Sequence, residues 1–253
     1  NDAGFLLGDG LFETIRFQNK KLFLIDKHLA RLKNGLETIK IKSDFSDEEI
    51  KSILNEIIDK NNINDGLIRL MITRGELEGT PWNYEGPAGI YITIRPISIK
   101  PKYPVKVVFY SENKYPIIRF NPAIKSLNYI GNMLAKKDAE KENAFEPVFY
   151  NINGFITECA IRNIFFIKKT KLLTPNINLG VLPGVMRNII ILLASELKLS
   201  IEETNIPFKS INTMDEAFIS STGIGLLPCY WDGWRSEFYH AKKIREKLNK
   251  LIN

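Results

Sequence analysis

The chain has 253 residues, of which 44% are hydrophobic and 25% are charged, and its formal net charge is +6. This balance is typical of a globular protein with a core in one or two domains, and it excludes a disordered or fibrous chain. No apolar run approaches the ~20 residues that span a bilayer, and no signal-peptide pattern opens the chain, so we expect a cytoplasmic protein without a membrane partner.

The basic residues do not indicate a nucleic-acid partner. Lysines and arginines are scattered among acidic residues, and scattered lysines usually form a solvated face. The two cysteines, Cys159 and Cys229, have no pairing pattern and fit a reducing compartment. With His28 and His240 as the only histidines, the sequence predicts no metal site.

The first third of the chain predicts two strands followed by two helices. The strands cover residues 11–17 and 21–25, and a helix opens at Asp26. Apolar residues of that helix recur at helical spacing: Leu29, Leu32, Leu36 and Ile39. Ser46 with Glu49 three residues later is a capping-box pattern, which predicts the start of the second helix.

A cluster of prolines marks the predicted domain boundary. Strands over residues 67–73 and 90–95 precede it, and the prolines that follow are Pro96, Pro101 and Pro104. We therefore expect a smaller N-terminal domain over residues 1–98 and a larger C-terminal domain over residues 104–253.

The second part of the chain alternates strand and helix patterns. Three strands are predicted over residues 105–110, 147–150 and 163–167, and two helices over residues 127–142 and 184–197. A terminal helix from Ala241 would bury Ile244, Leu248 and Leu251 on one face. This mixed order predicts an α+β fold.

Three separated segments carry reactive or polar residues. Lys125 and Tyr129 supply an amine and a phenol, and Glu158 is one acid between two apolar runs. At residues 182–187 a helix begins after Pro183, so its first N–H groups are available to an anion. Each segment alone has a simpler interpretation: a surface lysine, a turn carboxylate and an ordinary helix start.

Together, these residue types match what pyridoxal 5′-phosphate requires of a protein. Its aldehyde needs an amine, its ring nitrogen a carboxylate, its phenolic oxygen a donor and its phosphate an anion pocket. Other chemistries fit less well, because the chain has no Walker loop, no complete dinucleotide fingerprint and no nucleophile elbow. The glycines around residues 221–225 alone predict only a turn.

Ordered blocks along the chain resemble one known family, the class IV aminotransferases. The blocks are Gly8-Asp9-Gly10-Leu11-Phe12-Glu13-Thr14-Ile15-Arg16, His28-Leu29-Ala30-Arg31-Leu32, Thr73-Arg74-Gly75, Ser220-Ser221-Thr222 and Pro228. These fold-type IV enzymes use pyridoxal 5′-phosphate and include branched-chain and D-amino-acid aminotransferases and aminodeoxychorismate lyase. The resemblance implies the two-domain, D-amino-acid-aminotransferase-like α+β fold, with the cofactor between the domains, and a homodimer.

The resemblance also implies a role for individual residues. Lys125 would form the Schiff base with the cofactor and carry the substrate proton, Glu158 would bind the ring nitrogen, and Tyr129 would donate to the phenolic oxygen. The implied phosphate ligands are Arg31, Val185, Met186 and Thr222. The implied substrate-binding residues are Phe12, Thr14, Gly223 and Ile224. Asn163 is interpreted as structural.

The reaction is less constrained than the cofactor. We favour transfer of an amino group between an amino acid of the branched-chain type and a 2-keto acid, with aminodeoxychorismate lyase as the alternative. Met186 and Thr14 resemble the lyases, whereas Tyr129 resembles the transaminases. Phe12 in place of a tyrosine, and no Arg-x-His after Arg74, disfavour the D-amino-acid enzymes. A non-catalytic relative is disfavoured because all the cofactor residues are retained.

Overall fold

The computed structural model describes residues 1–80, 86–97 and 101–252. These residues form two compact units. The first contains the described residues of Asn1–Ile99 together with Ile124–Asn128, and the second contains those of Lys100–Ala123 and Tyr129–Asn253. Both units combine helices with sheets, as predicted for the α+β class.

Unit 1 is a four-stranded antiparallel sheet in the order β2-β1-β3-β4 with two long helices. Its elements are α1 (Ala3–Leu7), β1 (Gly10–Gln18), β2 (Lys21–Leu22), α2 (Ile25–Thr38), α3 (Asp47–Asn61), β3 (Gly66–Thr73) and β4 (Gly89–Pro96). The predicted second strand is shorter than expected, because helix α2 already begins at Ile25.

The core of unit 1 lies between its helices and one face of the sheet. Alternate residues of β1, among them Leu11 and Ile15, meet Leu29, Leu32 and Leu36 of α2. A Cβ added at Gly35 would lie 2.6 Å from a methyl carbon of Leu11, so this glycine permits the close approach of α2 to β1.

Helix α3 begins with the predicted capping box. The Ser46 hydroxyl accepts a hydrogen bond from the Glu49 backbone N–H, and the Glu49 carboxylate accepts one from the Ser46 backbone N–H. Two of the N–H groups that a helix start leaves without partners are therefore satisfied.

The segment Ile124–Asn128 belongs to unit 1, although the sequence analysis assigns Lys125 to the C-terminal domain. The Phe12 N–H donates to the Lys125 carbonyl at 2.9 Å, and the Leu127 N–H donates to the Gly10 carbonyl at 3.0 Å. The segment thus adds a short antiparallel strand-like pairing to the start of β1. The helix expected from residue 127 begins only at Ile130.

Unit 2 is built on an eight-stranded mixed sheet in the order β10-β9-β8-β11-β12-β5-β6-β7. Its strands are β5 (Val105–Ser111), β6 (Glu146–Tyr150), β7 (Ile156–Cys159), β8 (Asn163–Lys168), β9 (Lys171–Pro175), β10 (Ser200–Thr204), β11 (Glu216–Ser221) and β12 (Gly225–Tyr230). Its helices are α4 (Ile130–Lys141), α5 (Val185–Glu196) and α6 (Tyr239–Ile252), with short 3-10 turns at Glu112–Lys114, Ile177–Leu179 and Phe208–Thr213.

The terminal helix α6 is anchored at its start by a buried acid. Both carboxylate oxygens of Glu216 accept backbone N–H bonds at 2.8 Å, from His240 and Ala241. The helix buries Ile244 and Leu248 as predicted, but the prediction for Leu251 was wrong. Leu251 is 51% exposed and Ile252 is buried instead, because 252 rather than 251 continues the spacing of 244 and 248.

The helices of the described residues give no membrane span: none has both the length and the apolar composition that crossing a bilayer requires.

The capping box gives a stability prediction. We expect Ser46→Ala to lower the free energy of unfolding by about 1 kcal/mol, since the Glu49 N–H loses its partner. Chemical denaturation measures the change. The matched control is Ser52→Ala, which makes the same substitution at an exposed position inside α3 and should leave stability unchanged or slightly raised. Equal losses in both variants would contradict the capping role.

Candidate active site

The candidate Schiff-base lysine lies beside an aromatic ring in unit 1. Lys125 is half-buried, and its Nζ lies 4.4 Å from the ring centroid of Phe12, which is 5% exposed. Thr14 follows on the same face of β1, since strand residues alternate. Arg69 lies opposite Thr14 on β3 and places its guanidinium carbon 4.5 Å from the same Phe12 centroid.

The predicted phosphate ligand Arg31 is held by a buried acid on the other face of β1. Arg31 donates from Nε and Nη2 to the two carboxylate oxygens of Glu13, at 2.7 and 2.6 Å. His28 Nδ1 lies 2.8 Å from the same carboxylate. Glu13 is 1% exposed, so the fork of Arg31 has a fixed orientation on α2.

The surroundings of Glu13 keep its carboxyl ionised. Burial alone would raise its pKa, but the charge of Arg31 and the hydrogen bonds from His28 and Arg31 outweigh burial and lower the pKa to about 2. The ion pair between Glu13 and Arg31 therefore persists throughout the neutral range.

Glu158 lies on β7 in unit 2, and both of its carboxylate oxygens have protein donors. Arg119 Nη1 donates to Oε1, and the Leu182 backbone N–H donates to Oε2 at 3.3 Å. The side chain is 14% exposed. Glu158 is thus a strand residue in an ion pair, not the solvated turn acid of the simpler interpretation.

The helix start that follows Leu182 has a fixed geometry. Asn163 Nδ2 donates to the Leu182 carbonyl at 3.0 Å, and a Cβ added at Gly184 would lie only 2.1 Å from Asn163 Oδ1. Gly184 is the N-cap of α5, and no side chain caps it. The first-turn residues Val185 and Met186 are buried, with their backbone at the positive end of the helix dipole.

The remaining predicted residues also lie in unit 2. Thr222, Gly223 and Ile224 form the half-buried turn between β11 and β12. Ser220, just before this turn, pairs in register with Asn163. Its buried hydroxyl has no hydrogen-bond partner among the described residues. Tyr129 is the half-buried N-cap residue of α4.

Within each unit, some of the predicted site residues therefore lie close together. Unit 1 joins Lys125 to Phe12, with Thr14 on the same face, while Arg31 projects to the opposite face with Glu13. Unit 2 joins Glu158 to the start of α5 through Leu182, and Asn163 has the structural role that was expected.

Two residues near these groups were missed by the sequence analysis. Arg69 is the single charged residue of strand β3, a signal that could have identified it. Arg119 follows β5 in a segment without helix or strand, and nothing in the local pattern indicates that it would reach Glu158.

Comparison with known proteins defines the family. The model of the family described as amino-transferase class IV matches residues 10–230. The chain belongs to this family, which is the family that the sequence blocks resemble.

Similar proteins span three activities. A D-alanine aminotransferase of Listeria monocytogenes is 32% identical over 90% of this chain and 79% of its own length. An aminodeoxychorismate lyase of Bacillus subtilis is 30% identical over 90% of this chain and 78% of its own. The crystal structure of the branched-chain amino acid aminotransferase of Escherichia coli has a TM-score of 0.88 at 25% identity, over 100% of this chain and 88% of that one. The predicted fold class is confirmed.

The ionised Glu13 predicts a pH dependence of stability. Because its pKa is lower in the folded chain than the ordinary 4.5, its contribution is present above about pH 4.5 and is lost as the pH falls toward 2. We expect Glu13→Gln to lower the free energy of unfolding at pH 7 by roughly 3 kcal/mol. The difference between the variant and wild type should narrow as the pH falls from about 4.5 toward 2.

Denaturant unfolding at a series of pH values measures this difference. Glu37→Gln is the matched control, since it neutralises an exposed acid of α2, the helix that carries Arg31. A Glu13→Gln deficit that stays constant from pH 7 to pH 2 would contradict the low pKa of Glu13.

Proposed function

We propose that the chain is a pyridoxal 5′-phosphate-dependent aminotransferase that moves an amino group between a branched-chain type of amino acid and a 2-keto acid. One observation carries the proposal. An anchored carboxylate, Glu158, is hydrogen-bonded to Leu182, three residues before the uncapped start of α5. A ring nitrogen and a phosphate on one small molecule require these two features close together.

The residues present fit this cofactor. Glu158 forms an ion pair with Arg119, and its carboxylate can accept a hydrogen bond from a protonated ring nitrogen. The N–H groups of Val185 and Met186 suit a phosphate, with the neighbouring turn at Thr222 and the unpartnered Ser220 hydroxyl adding polar groups. Arg31, oriented by Glu13, is the proposed cation for the phosphate, and Tyr129 the proposed phenolic donor.

In this proposal each residue has a defined task. When bound, the cofactor supplies an electron-withdrawing ring that stabilises negative charge at the substrate's α-carbon. Lys125 Nζ would hold the cofactor through its aldehyde carbon and, once replaced there by the substrate amine, would carry the proton from the substrate's α-carbon to the cofactor. Glu158 keeps the proton on the ring nitrogen, and the backbone of Gly223 and Ile224 orients the substrate carboxylate.

The surroundings of Lys125 support an amino acid with an apolar side chain. Phe12 supplies an apolar wall next to the amine, and Arg69 on the same ring supplies a positive charge for a substrate carboxylate. The branched-chain enzyme of Escherichia coli has the same fold. The D-alanine relatives are the weaker guide to the substrate, because Phe12 has no hydroxyl to offer a substrate carboxylate, a difference that disfavours the D-amino-acid enzymes in the sequence as well.

Aminodeoxychorismate lyase is the second candidate, and Met186 is the observation that favours it. Met186 is 2% exposed in the first turn of α5 and offers a phosphate its backbone N–H but no hydroxyl. The lyase of Bacillus subtilis is similar over most of the chain. All the proposed cofactor residues would serve either reaction.

We also propose that the two units are the two domains of the enzyme and that it is a homodimer in the cytoplasm. Each unit has an exposed apolar surface that a second copy could cover. In unit 1 the residues are Phe5, Leu6 and Leu7 of α1, and in unit 2 they are Ile130, Met133 and Leu134 of α4.

The role of Lys125 can be tested directly. We expect wild-type protein mixed with pyridoxal 5′-phosphate to develop a violet absorption band that sodium borohydride fixes covalently to Lys125. Lys125→Ala should show neither the band nor the adduct by mass spectrometry, because no other amine is proposed to bond the aldehyde. Lys27→Ala, an exposed lysine of α2, is the control. A normal adduct in Lys125→Ala would refute the assignment.

The reaction is tested by giving the loaded enzyme each substrate class. We expect L-leucine with 2-oxoglutarate to yield glutamate and the branched keto acid, measured by chromatography, and D-alanine to react at least tenfold more slowly. Release of p-aminobenzoate and pyruvate from aminodeoxychorismate, without transfer from leucine, would establish the lyase instead.

A further inference from the structure

Glu158 is the end of a buried chain of charges in unit 2. Arg119 bridges Glu158 to a second acid, Glu112, with Nε and Nη2 at 2.9 and 2.6 Å from Glu112 Oε1. The Thr157 hydroxyl donates to the same Glu112 oxygen at 2.6 Å and accepts from Arg119 Nη2 at 3.2 Å. The three charged side chains are only 14–18% exposed.

The guanidinium is fixed on both sides by these contacts. Burial alone would lower the pKa of Arg119, but the charges of Glu158 and Glu112 raise it overall, so Arg119 stays cationic. Its planar fork holds Glu112 through two nitrogens and Glu158 through the third. Since Leu182 holds the other oxygen of Glu158, that carboxylate has little freedom to rotate.

Glu112 and Arg119 act in opposite directions on the electrostatic potential near Glu158. Arg119 contributes a positive charge and Glu112 a negative one. Loss of the Glu112 charge would therefore make the surroundings of Glu158 more positive, and a protonated ring nitrogen held by Glu158 would be less favoured there.

We propose that Arg119 is the positioning residue of Glu158 and that Glu112, through Arg119, supplies the charge that keeps a bound pyridine nitrogen protonated. This inference rests on the proposed function. Glu112, Arg119 and Thr157 would act on the ring nitrogen through Glu158, without contacting the reacting atoms. If Glu112 were neutral, the positive charge of Arg119 would be less opposed, and the site would favour a protonated ring nitrogen less.

The first test is Glu112→Gln, which keeps the size of the side chain and removes one negative charge. Protein loaded with ring-¹⁵N pyridoxal 5′-phosphate is titrated while the ¹⁵N chemical shift reports protonation of the ring nitrogen. We expect the midpoint in Glu112→Gln to fall by about one pH unit. An unchanged midpoint would overturn the role of Glu112.

Glu216→Gln is the matched control for this titration. It neutralises another buried acid of unit 2, whose partners are the backbone N–H groups of α6 and not Arg119. Its ring-nitrogen midpoint should equal that of wild type. If the midpoint of the ring-nitrogen titration fell equally in both variants, neutralising any buried acid of unit 2 would cause the effect, and the proposal would be overturned.

The second test concerns Arg119 itself. We expect Arg119→Gln to weaken the equilibrium binding of pyridoxal 5′-phosphate to the apoprotein about tenfold, and Arg119→Lys to recover part of the loss. Wild-type affinity in Arg119→Gln would overturn the positioning role. Circular dichroism establishes whether each variant folds. If Arg119→Gln does not fold, the ring-nitrogen titration of Glu112→Gln remains the test of the proposal.

The two proposals fail in different ways. If wild-type protein binds no pyridoxal 5′-phosphate, the proposed function itself is wrong and this inference falls with it. If wild type binds and titrates normally but the Glu112 and Arg119 variants match it, only this inference is overturned.

Discussion

The candidate site of unit 2 depends on how the backbone of Leu182 is held. Its N–H donates to Glu158 on β7, and its carbonyl accepts from Asn163 at the start of β8. A loop held at both polar groups cannot shift without leaving a half-buried donor or acceptor unpaired, which costs about 1–3 kcal/mol each. The acid and the first turn of α5 are thereby kept in one fixed relation.

Gly184 shows why the position of Glu158 relative to the first turn of α5 tolerates so little change in sequence. Asn163 Oδ1 occupies the space that a side chain at Gly184 would need. The amide that holds Leu182 therefore also requires a glycine two residues later. In unit 1, Glu13 plays a comparable part for Arg31, because a buried carboxylate with two donors fixes the direction of the guanidinium.

The sequence predicted those parts of the fold whose causes are local. Ser46 and Glu49 form a capping box within four residues, and the alternation of β1 and the spacing of α2 are visible in short windows. Leu251 was assigned to the wrong face because it neighbours the position that continues the helical spacing. Strand β7 was not predicted, because four residues with an acid among them give too short a pattern.

The candidate site was predicted in two steps. Residue type singled out Lys125 and Glu158, and the resemblance of ordered sequence blocks to one family implied their roles, but neither step reports what each side chain contacts. Arg119 and Glu112 could not be found in this way, because the ion pair of Arg119 with Glu158 joins residues 39 positions apart and arises only on folding, and Glu112 reaches Glu158 only through Arg119.

The pairing of residues 125–127 with the first residues of β1 has a consequence for biosynthesis. The ribosome synthesises Gly10 and Phe12 long before Lys125 and Leu127. The start of β1 therefore lacks these hydrogen-bond partners while the residues up to 124 are being translated. The sheet of unit 1 can be completed only after residues 124–128 have been synthesised, which follow the first segment of unit 2 in the chain. An amino-terminal fragment that stops before Ile124 would lack those hydrogen bonds, and with them the amine on which the proposed chemistry depends.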